Sequence, residues 1–212
     1  MQHSEWLLAT RNAGKLRELR PIFADAGIAV IDLVEAGIEE TAEEETIESH
    51  DTFEANALAK ARYFFDRANG RNVVADDSGL EVVALGGAPG VKSRRWSGRL
   101  DLPPRELEHA NNAMLMDRLR GVEDRRARFV CAAAWYGDNG SLVTLGEVQG
   151  VIAHAPAGEH GFGYDPYFFA TELGMTLGVA STLEKQRVSH RGRAFAALIE
   201  GLRNVFGPVT AE

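Results

Sequence analysis

Two carboxylates stand side by side at Asp76 and Asp77, after the apolar run Val73-Val74-Ala75 and before Ser78 and Gly79. Adjacent aspartates repel each other unless a proton or a cation lies between them. Mg2+ is the simplest occupant, because it prefers carboxylate oxygens and usually brings substrate phosphates among its ligands. A β-branched run followed by polar and turn residues predicts a buried strand giving way to a loop at the aspartates. In open α/β sheets, ligands bind at the carboxyl ends of strands. Taken alone, the same four residues also read as a solvated turn.

Other segments carry chemistry of the same kind. Thr10-Arg11-Asn12-Ala13-Gly14-Lys15 joins an expected strand to the start of an expected helix. Free N–H groups and the positive end of the helix dipole favour phosphate there, and Lys15 adds a full charge. An ordinary helix cap with a surface lysine accounts for the same residues. Gly161-Phe162-Gly163-Tyr164-Asp165-Pro166 sets two aromatics and an acid among glycines. Such a turn lets backbone approach a ligand and offers a phenyl ring for stacking on a flat base, or it is simply a rigid turn. Ser189-His190-Arg191-Gly192 precedes the last expected helix, where Ser189 is positioned to cap and Arg191 to meet a carbonyl or phosphate.

Two attractive motifs fail. Gly86 to Ser93 reads GGAPGVKS, but the residue before Lys92 is Val91, so the P-loop pattern is missing. A tight glycine-rich turn near the aspartates is expected instead. His3, His50, His109, His154 and His160 show no spacing that suggests zinc.

The elements that must position these residues follow from periodicity. Residues 5–10 predict a strand, and a helix follows with Leu16, Leu19, Ile22 and Phe23 on one face. Pro21 falls inside that pattern, where it shortens or bends a helix. Residues 28–33 predict a second strand, completing a strand–helix–strand start of α/β type. Residues 39–51 form an acidic stretch, read as a solvated loop or fraying helix end. Thr52 is a candidate cap for a helix burying Phe53, Ala57, Leu58, Ala61, Phe64 and Phe65. Another helix follows Pro103-Pro104 and ends near Arg120. Residues 127–136 and 141–153 then read as a hairpin turning at Gly137-Asp138-Asn139-Gly140. A final helix over 191–205 is expected to bury Phe195, Leu198, Ile199, Leu202 and Val205.

Composition narrows the class of partner. The 212 residues carry a formal charge of −8 and a sequence pI near 5.3, which argues against affinity for a nucleic-acid backbone. A local basic pocket can still take a phosphorylated small molecule. The lone cysteine, Cys131, sits in an apolar run and reads as a small buried hydrophobe. The amino-terminal residues show no basic region followed by a long apolar stretch, and no run reaches the length of a membrane span. A cytoplasmic protein without a membrane partner is expected. With no linker or repeat, residues 1–212 are expected to form a single domain.

Taken in order, LLATRNAGKLREL, TFEANALAKA, VVADDSGLEVVALGGAPGVKSRRWSG, GFGYDPYFF and SHRGRAF resemble the noncanonical purine nucleoside triphosphate pyrophosphatases, the inosine triphosphatase family. The resemblance spans almost the whole chain. It implies an elongated mixed-sheet α/β fold with two lobes around a central nucleotide-binding cleft, assembled as a homodimer. The implied reaction is Mg2+-dependent hydrolysis of dITP, ITP or XTP to monophosphate and pyrophosphate. By the resemblance, Thr10, Arg11, Asn12, Ala13, Gly14 and Lys15 hold the triphosphate, with Lys60 assisting. Asp77 matches the proton acceptor and a metal ligand, with Asp76 beside it and Ser78 on the substrate. Phe162, Gly163, Tyr164 and Asp165 match the base pocket, and Lys185, His190 and Arg191 match nucleotide contacts.

There are departures from the pattern. Glu48-Ser49-His50-Asp51 stands where a glycine often precedes the TFxxNA helix, and Glu48 aligns best with the expected acidic metal ligand. Arg11 fills a variable position, where it either adds charge to the phosphate loop or points away. The residues fit the chemistry independently: Lys15, Lys60 and Mg2+ neutralise phosphate charge, and Asp77 orients or deprotonates water. His190 and Arg191 supply donors for a 6-oxo purine edge. Pyrophosphatases of other modified nucleotides, and a noncatalytic nucleotide-binding protein, are the alternatives.

Overall fold

The computed structural model describes residues 5–206; the residues before Glu5, read above for a targeting signal, lie outside that range. Seven strands form one mixed sheet in the order β2-β1-β3-β4-β5-β6-β7. They are β1 (Trp6–Leu8), β2 (Val30–Asp32), β3 (Val73–Val82), β4 (Arg126–Gly137), β5 (Gly140–Ile152), β6 (Phe168–Ala170) and β7 (Met175–Thr176). The helices are α1 (Ala13–Asp25), α2 (Glu44–Ile47), α3 (Phe53–Phe65), α4 (Pro104–Arg118), α5 (Thr182–Val188) and α6 (His190–Phe206). β1 pairs parallel with β2 and β3, whereas β6 pairs antiparallel with β5 and β7. No helix among the described residues is long and apolar enough to cross a membrane.

The chain divides into two compact units. Among the described residues, the first comprises residues 5–77, 131–146 and 191–206. Its core gathers Trp6, Leu8, Leu19, Phe23, Val74, Cys131, Ala133, Phe195, Leu198 and Leu202. Phe23 of α1 meets Phe195 of α6 edge-on, with ring centroids 5.6 Å apart. The second unit comprises residues 78–130 and 147–190, built on Leu80, Val82, Leu115, Phe129, Val148, Phe168 and Leu177.

Several expectations need correction. The strand at Val73 does not give way at the aspartates: β3 runs through Asp76, Asp77, Ser78 and Gly79 to Val82. Leu80 and Val82 are fully buried and supply the apolar anchor that keeps the chain extended. α1, by contrast, runs as expected to just ahead of Gly27, with Pro21 accommodated on its exposed side and not shortening it. The acidic stretch is not wholly a loop, since α2 forms within it. The segment GGAPGVKS begins as the expected glycine-rich turn at residues 86–88, which follows a 3-10 helix over Val83–Leu85, but its second half enters another 3-10 helix, Gly90–Arg95. Ser93 of the second ties back to β3, accepting from Leu80 N at 2.8 Å. Val205, expected in the core, is 66% exposed, because the buried stripe of α6 ends at Leu202.

Candidate active site

In the first unit, cations converge on Asp76. Lys15 Nζ lies 3.0 Å from Asp76 Oδ2, and Arg191 Nε donates to the same oxygen at 3.1 Å. Lys60 Nζ donates to the Asp76 carbonyl at 2.8 Å and pairs with Glu48. Arg191 is 1% exposed and also pairs with Glu18. Burial alone would raise the Asp76 carboxyl, but Lys15, Arg191 and Lys60 hold it far below the usual carboxylate range. Cys131 is buried 3.8 Å from Asp76 Oδ2, and burial pushes its thiol up, so it is no nucleophile.

Asp77, the next residue, has the opposite environment. Burial and then the Glu48 charge push its carboxyl up to about 6, against the pull of Lys15, Asn56 and Lys60. Asn56 Nδ2 donates to Asp77 Oδ2 at 2.9 Å, and the Asn56 amide is itself held by both backbone groups of His50. Two neighbouring carboxyls pushed in opposite directions mark a site with divided acid–base roles. Glu48 behaves as a carboxylate: burial raises it, but Lys60 and Lys15 outweigh burial and lower it.

The loop ahead of α1 is strongly self-bonded. Asn12 caps the helix, its Oδ1 accepting from Gly14 N at 2.8 Å and Lys15 N at 3.1 Å. Thr10 is buried, and its hydroxyl accepts from Asn12 N at 3.2 Å. Ala13 is exposed as the first residue of α1. The two helix N–H groups taken by Asn12 leave the charge on Lys15 as the stronger attraction for phosphate. Arg11 points to Glu44, with two bonds of 2.8 Å.

In the second unit, the glycine-rich turn is built around Asp165. Its Oδ2 accepts from Phe162 N at 2.8 Å and from Lys185 Nζ at 2.6 Å. Lys185 also lies 5.0 Å from the centre of the Phe162 ring, a cation–π distance. Gly161 has φ +77, and a Cβ there would fall 2.0 Å from Asp165 Oδ2, so glycine is required. Tyr164 Oη donates to the Ser93 carbonyl at 2.9 Å, and Asn112 Nδ2 to that of Gly163 at 2.9 Å. His190 is buried and stacks on Phe129 at 4.8 Å. Ser78 is half-buried on β3.

The structure thus brings Lys15, Glu48, Lys60, Asp76, Asp77 and Arg191 together, and separately Phe162, Asp165 and Lys185. Arg191, expected beside His190 at a base edge, instead directs its guanidinium to two carboxylates. Asn56 and Glu18 were not anticipated. Asn56 had a signal, as a polar residue on the buried stripe of α3 with Phe53, Ala57 and Ala61. α5 was also missed, although Ser181 and Glu184 form a capping box that presents Lys185.

Among the described residues, no group of three or more His, Cys, Asp or Glu is arranged to hold a metal by itself. Mg2+ does not need one, since it is commonly bound by one or two carboxylates plus phosphate oxygens. Glu48 and Asp77 fit that requirement, being hard oxygen donors close enough to raise the Asp77 carboxyl.

Comparisons with known proteins place the whole chain among one set of relatives. A dITP/XTP pyrophosphatase of Bordetella parapertussis is 45% identical over 206 residues, covering 96% of this chain and 92% of that protein. One from Mycobacterium bovis is 47% identical over 201 residues, covering 94% and 95%. The Staphylococcus aureus Ham1 protein superposes with a TM-score of 0.79 at 37% identity, covering 95% of this chain and 99% of that one. The Mycobacterium abscessus nucleoside-triphosphatase, a dITP/XTP pyrophosphatase, gives 0.69 at 41%, covering 92% and 98%. With residues 6–201 matching the model of the Ham1 family, the chain belongs to that family.

Proposed function

We propose that this protein hydrolyses noncanonical purine nucleoside triphosphates (dITP, ITP and XTP) to the monophosphate and pyrophosphate. The observation that carries the reading is Asp77, a buried carboxyl pushed up to about 6 beside a cluster of lysine and arginine. A general base works best when its pKa lies near the working pH. In this reading Asp77 accepts the proton of the attacking water, while Asn56 fixes the orientation of its carboxylate. Lys15 and Lys60 neutralise charge on the triphosphate, which rises as the leaving pyrophosphate departs. Asp76 holds both lysines and Arg191 in place.

Glu48 and Asp77 would hold Mg2+, which supplies charge neutralisation at the phosphoryl oxygens. Phe162 stacks on the purine, and Lys185, held by Asp165, faces the base as a donor. On this reading residues 1–212 form one nucleoside triphosphate pyrophosphatase domain. Dimerisation of two identical chains and a cytoplasmic location complete the reading, and both follow from the resemblance and the composition.

Pyrophosphate release from dITP, ITP, XTP, ATP, GTP and modified pyrimidine triphosphates, with and without Mg2+, tests the reading. Turnover of the inosine and xanthosine nucleotides far above the rest is expected. Preference for a modified pyrimidine, or no release from any of them, would overturn it.

A further inference from the structure

The residues around Arg11 form a second network in the first unit that the proposed chemistry does not use. Arg11 Nε and Nη2 each donate to one Glu44 oxygen at 2.8 Å, a bidentate pair in which both side chains are mostly buried. Nη2 also donates to the Ile38 carbonyl at 3.1 Å. Glu44 further accepts from Thr41 N at 3.3 Å and from Arg67 Nη1 at 3.4 Å. Arg67 in turn donates to the Glu39 carbonyl at 2.8 Å and to Tyr63 Oη at 3.0 Å. Thr41 and Tyr63 share a hydroxyl hydrogen bond of 2.8 Å. Segment 38–44 is therefore fastened to the loop ahead of α1 by Arg11, and to α3 and the turn after it by Tyr63 and Arg67.

Glu44 opens α2 and Glu48 is its C-cap, one helical turn later. A hold on Glu44 is therefore a hold on Glu48, because a single turn leaves little freedom between them. α2 has only four residues and fully buries none of them, so although it touches α3 a single turn of this kind depends strongly on its side-chain ties. Ion pairs tie it down at both ends, Glu44 with Arg11 and Arg67 and Glu48 with Lys60, and the Arg11 pair is the bidentate one.

We propose that Arg11 is a positioning residue: its bidentate pair with Glu44 fixes α2 and thereby sets Glu48 where it serves Mg2+. This deepens the pyrophosphatase reading and rests on it for the metal's role. It also gives Arg11 a different task from direct triphosphate contact, since the planar fork of its guanidinium is spent on a matching carboxylate.

The test compares wild type with Arg11→Ala, Glu44→Gln and the double variant. Three quantities are read: amide hydrogen exchange of residues 38–48 in nucleotide-free protein, Mn2+ binding followed by electron paramagnetic resonance, and the half-saturating Mg2+ concentration for ITP hydrolysis. Each single variant should accelerate exchange in 38–48 by about tenfold. Each should weaken Mn2+ binding and raise half-saturating Mg2+ by roughly fivefold, with the double variant no worse than either single one. For Glu44→Gln, kcat at saturating Mg2+ should stay within about threefold of wild type, since Glu44 lies outside the reacting groups.

A direct phosphate role for Arg11 gives the opposite sign at Glu44. Glu44→Gln would then free Arg11 and lower the KM for ITP, while Arg11→Ala raises it, and the proposal falls. Unchanged exchange, or faster exchange with unchanged Mn2+ binding, also overturns it. Should Arg11→Ala fail to fold, Glu44→Gln carries the test alone. A wild type without pyrophosphatase activity defeats the functional reading but leaves the exchange and Mn2+ measurements to judge the clamp.

Discussion

Asn56 donates to Asp77 Oδ2 at 2.9 Å from a position on α3 flanked by buried apolar residues. The bond aims the carboxylate and favours its ionised form. Burial and Glu48 work against it, leaving the carboxyl at about 6. kcat/KM for ITP should therefore rise with pH through about 6 as Asp77 ionises. Asn56→Ala removes a stabilising donor and should move that limb upward by about one pH unit. pH–rate profiles of the two proteins check both statements, and an unshifted limb would detach Asn56 from the base.

Asp77→Asn should lose turnover by at least ~100-fold, the lower range for a general base. Its stability should move the other way. A carboxyl raised above its unfolded value of 3.8 binds its proton more tightly in the fold. The stability it contributes is therefore present at low pH and lost as pH rises through about 6. Metal-free Asp77→Asn should accordingly exceed wild type at pH 8 by on the order of 2 kcal/mol, with the difference vanishing near pH 4. Urea unfolding at both pH values measures this.

Lys15→Ala removes a charge from the phosphate side and one of the cations on Asp76. KM for the triphosphate should rise and kcat fall, together lowering kcat/KM by about 100-fold or more. A change confined to thermal stability would make Lys15 a structural residue only.

Arg191 and Lys185 should separate in a comparison of ITP with ATP. Arg191→Ala removes a fully buried guanidinium from Asp76 and Glu18 and should destabilise the fold by about 3 kcal/mol. Its losses on ITP and ATP should be equal in proportion, since the guanidinium faces carboxylates. Lys185→Ala should narrow the ITP/ATP ratio of kcat/KM by about tenfold or more, through loss of a donor toward the 6-oxo edge. The reverse pattern would make Arg191 the base reader.

Much of the secondary structure was legible because periodicity and punctuation are local. α1 and α3 start where Asn12 and Thr52 cap them, and the hairpin of β4 and β5 turns at the Asp-Asn pair. What escaped was structure decided by distant partners. β3 carries two aspartates through a buried strand because Lys15, Lys60, Arg191 and Asn56 reach them from other elements. β6 and β7 are too short to show alternation, and they form by pairing with β5 and with each other.

By itself, the sequence determined the chemical inventory: adjacent carboxylates, two lysines, a stacking aromatic turn, and the motif order that marks the family. Residue types and short spacings suffice for that, since each motif is contiguous. Only the tertiary structure decided how the inventory is divided. Asp76 and Asp77 are equivalent as sequence, yet one is surrounded by cations and held ionised while the other faces Glu48 and is pushed toward neutrality. Arg191 lies beside His190 in the chain but is drawn to Asp76 and Glu18, 115 and 173 residues away. Electrostatic energy depends on distance in space and on exclusion of water, and neither is written in the spacing of residues along the chain.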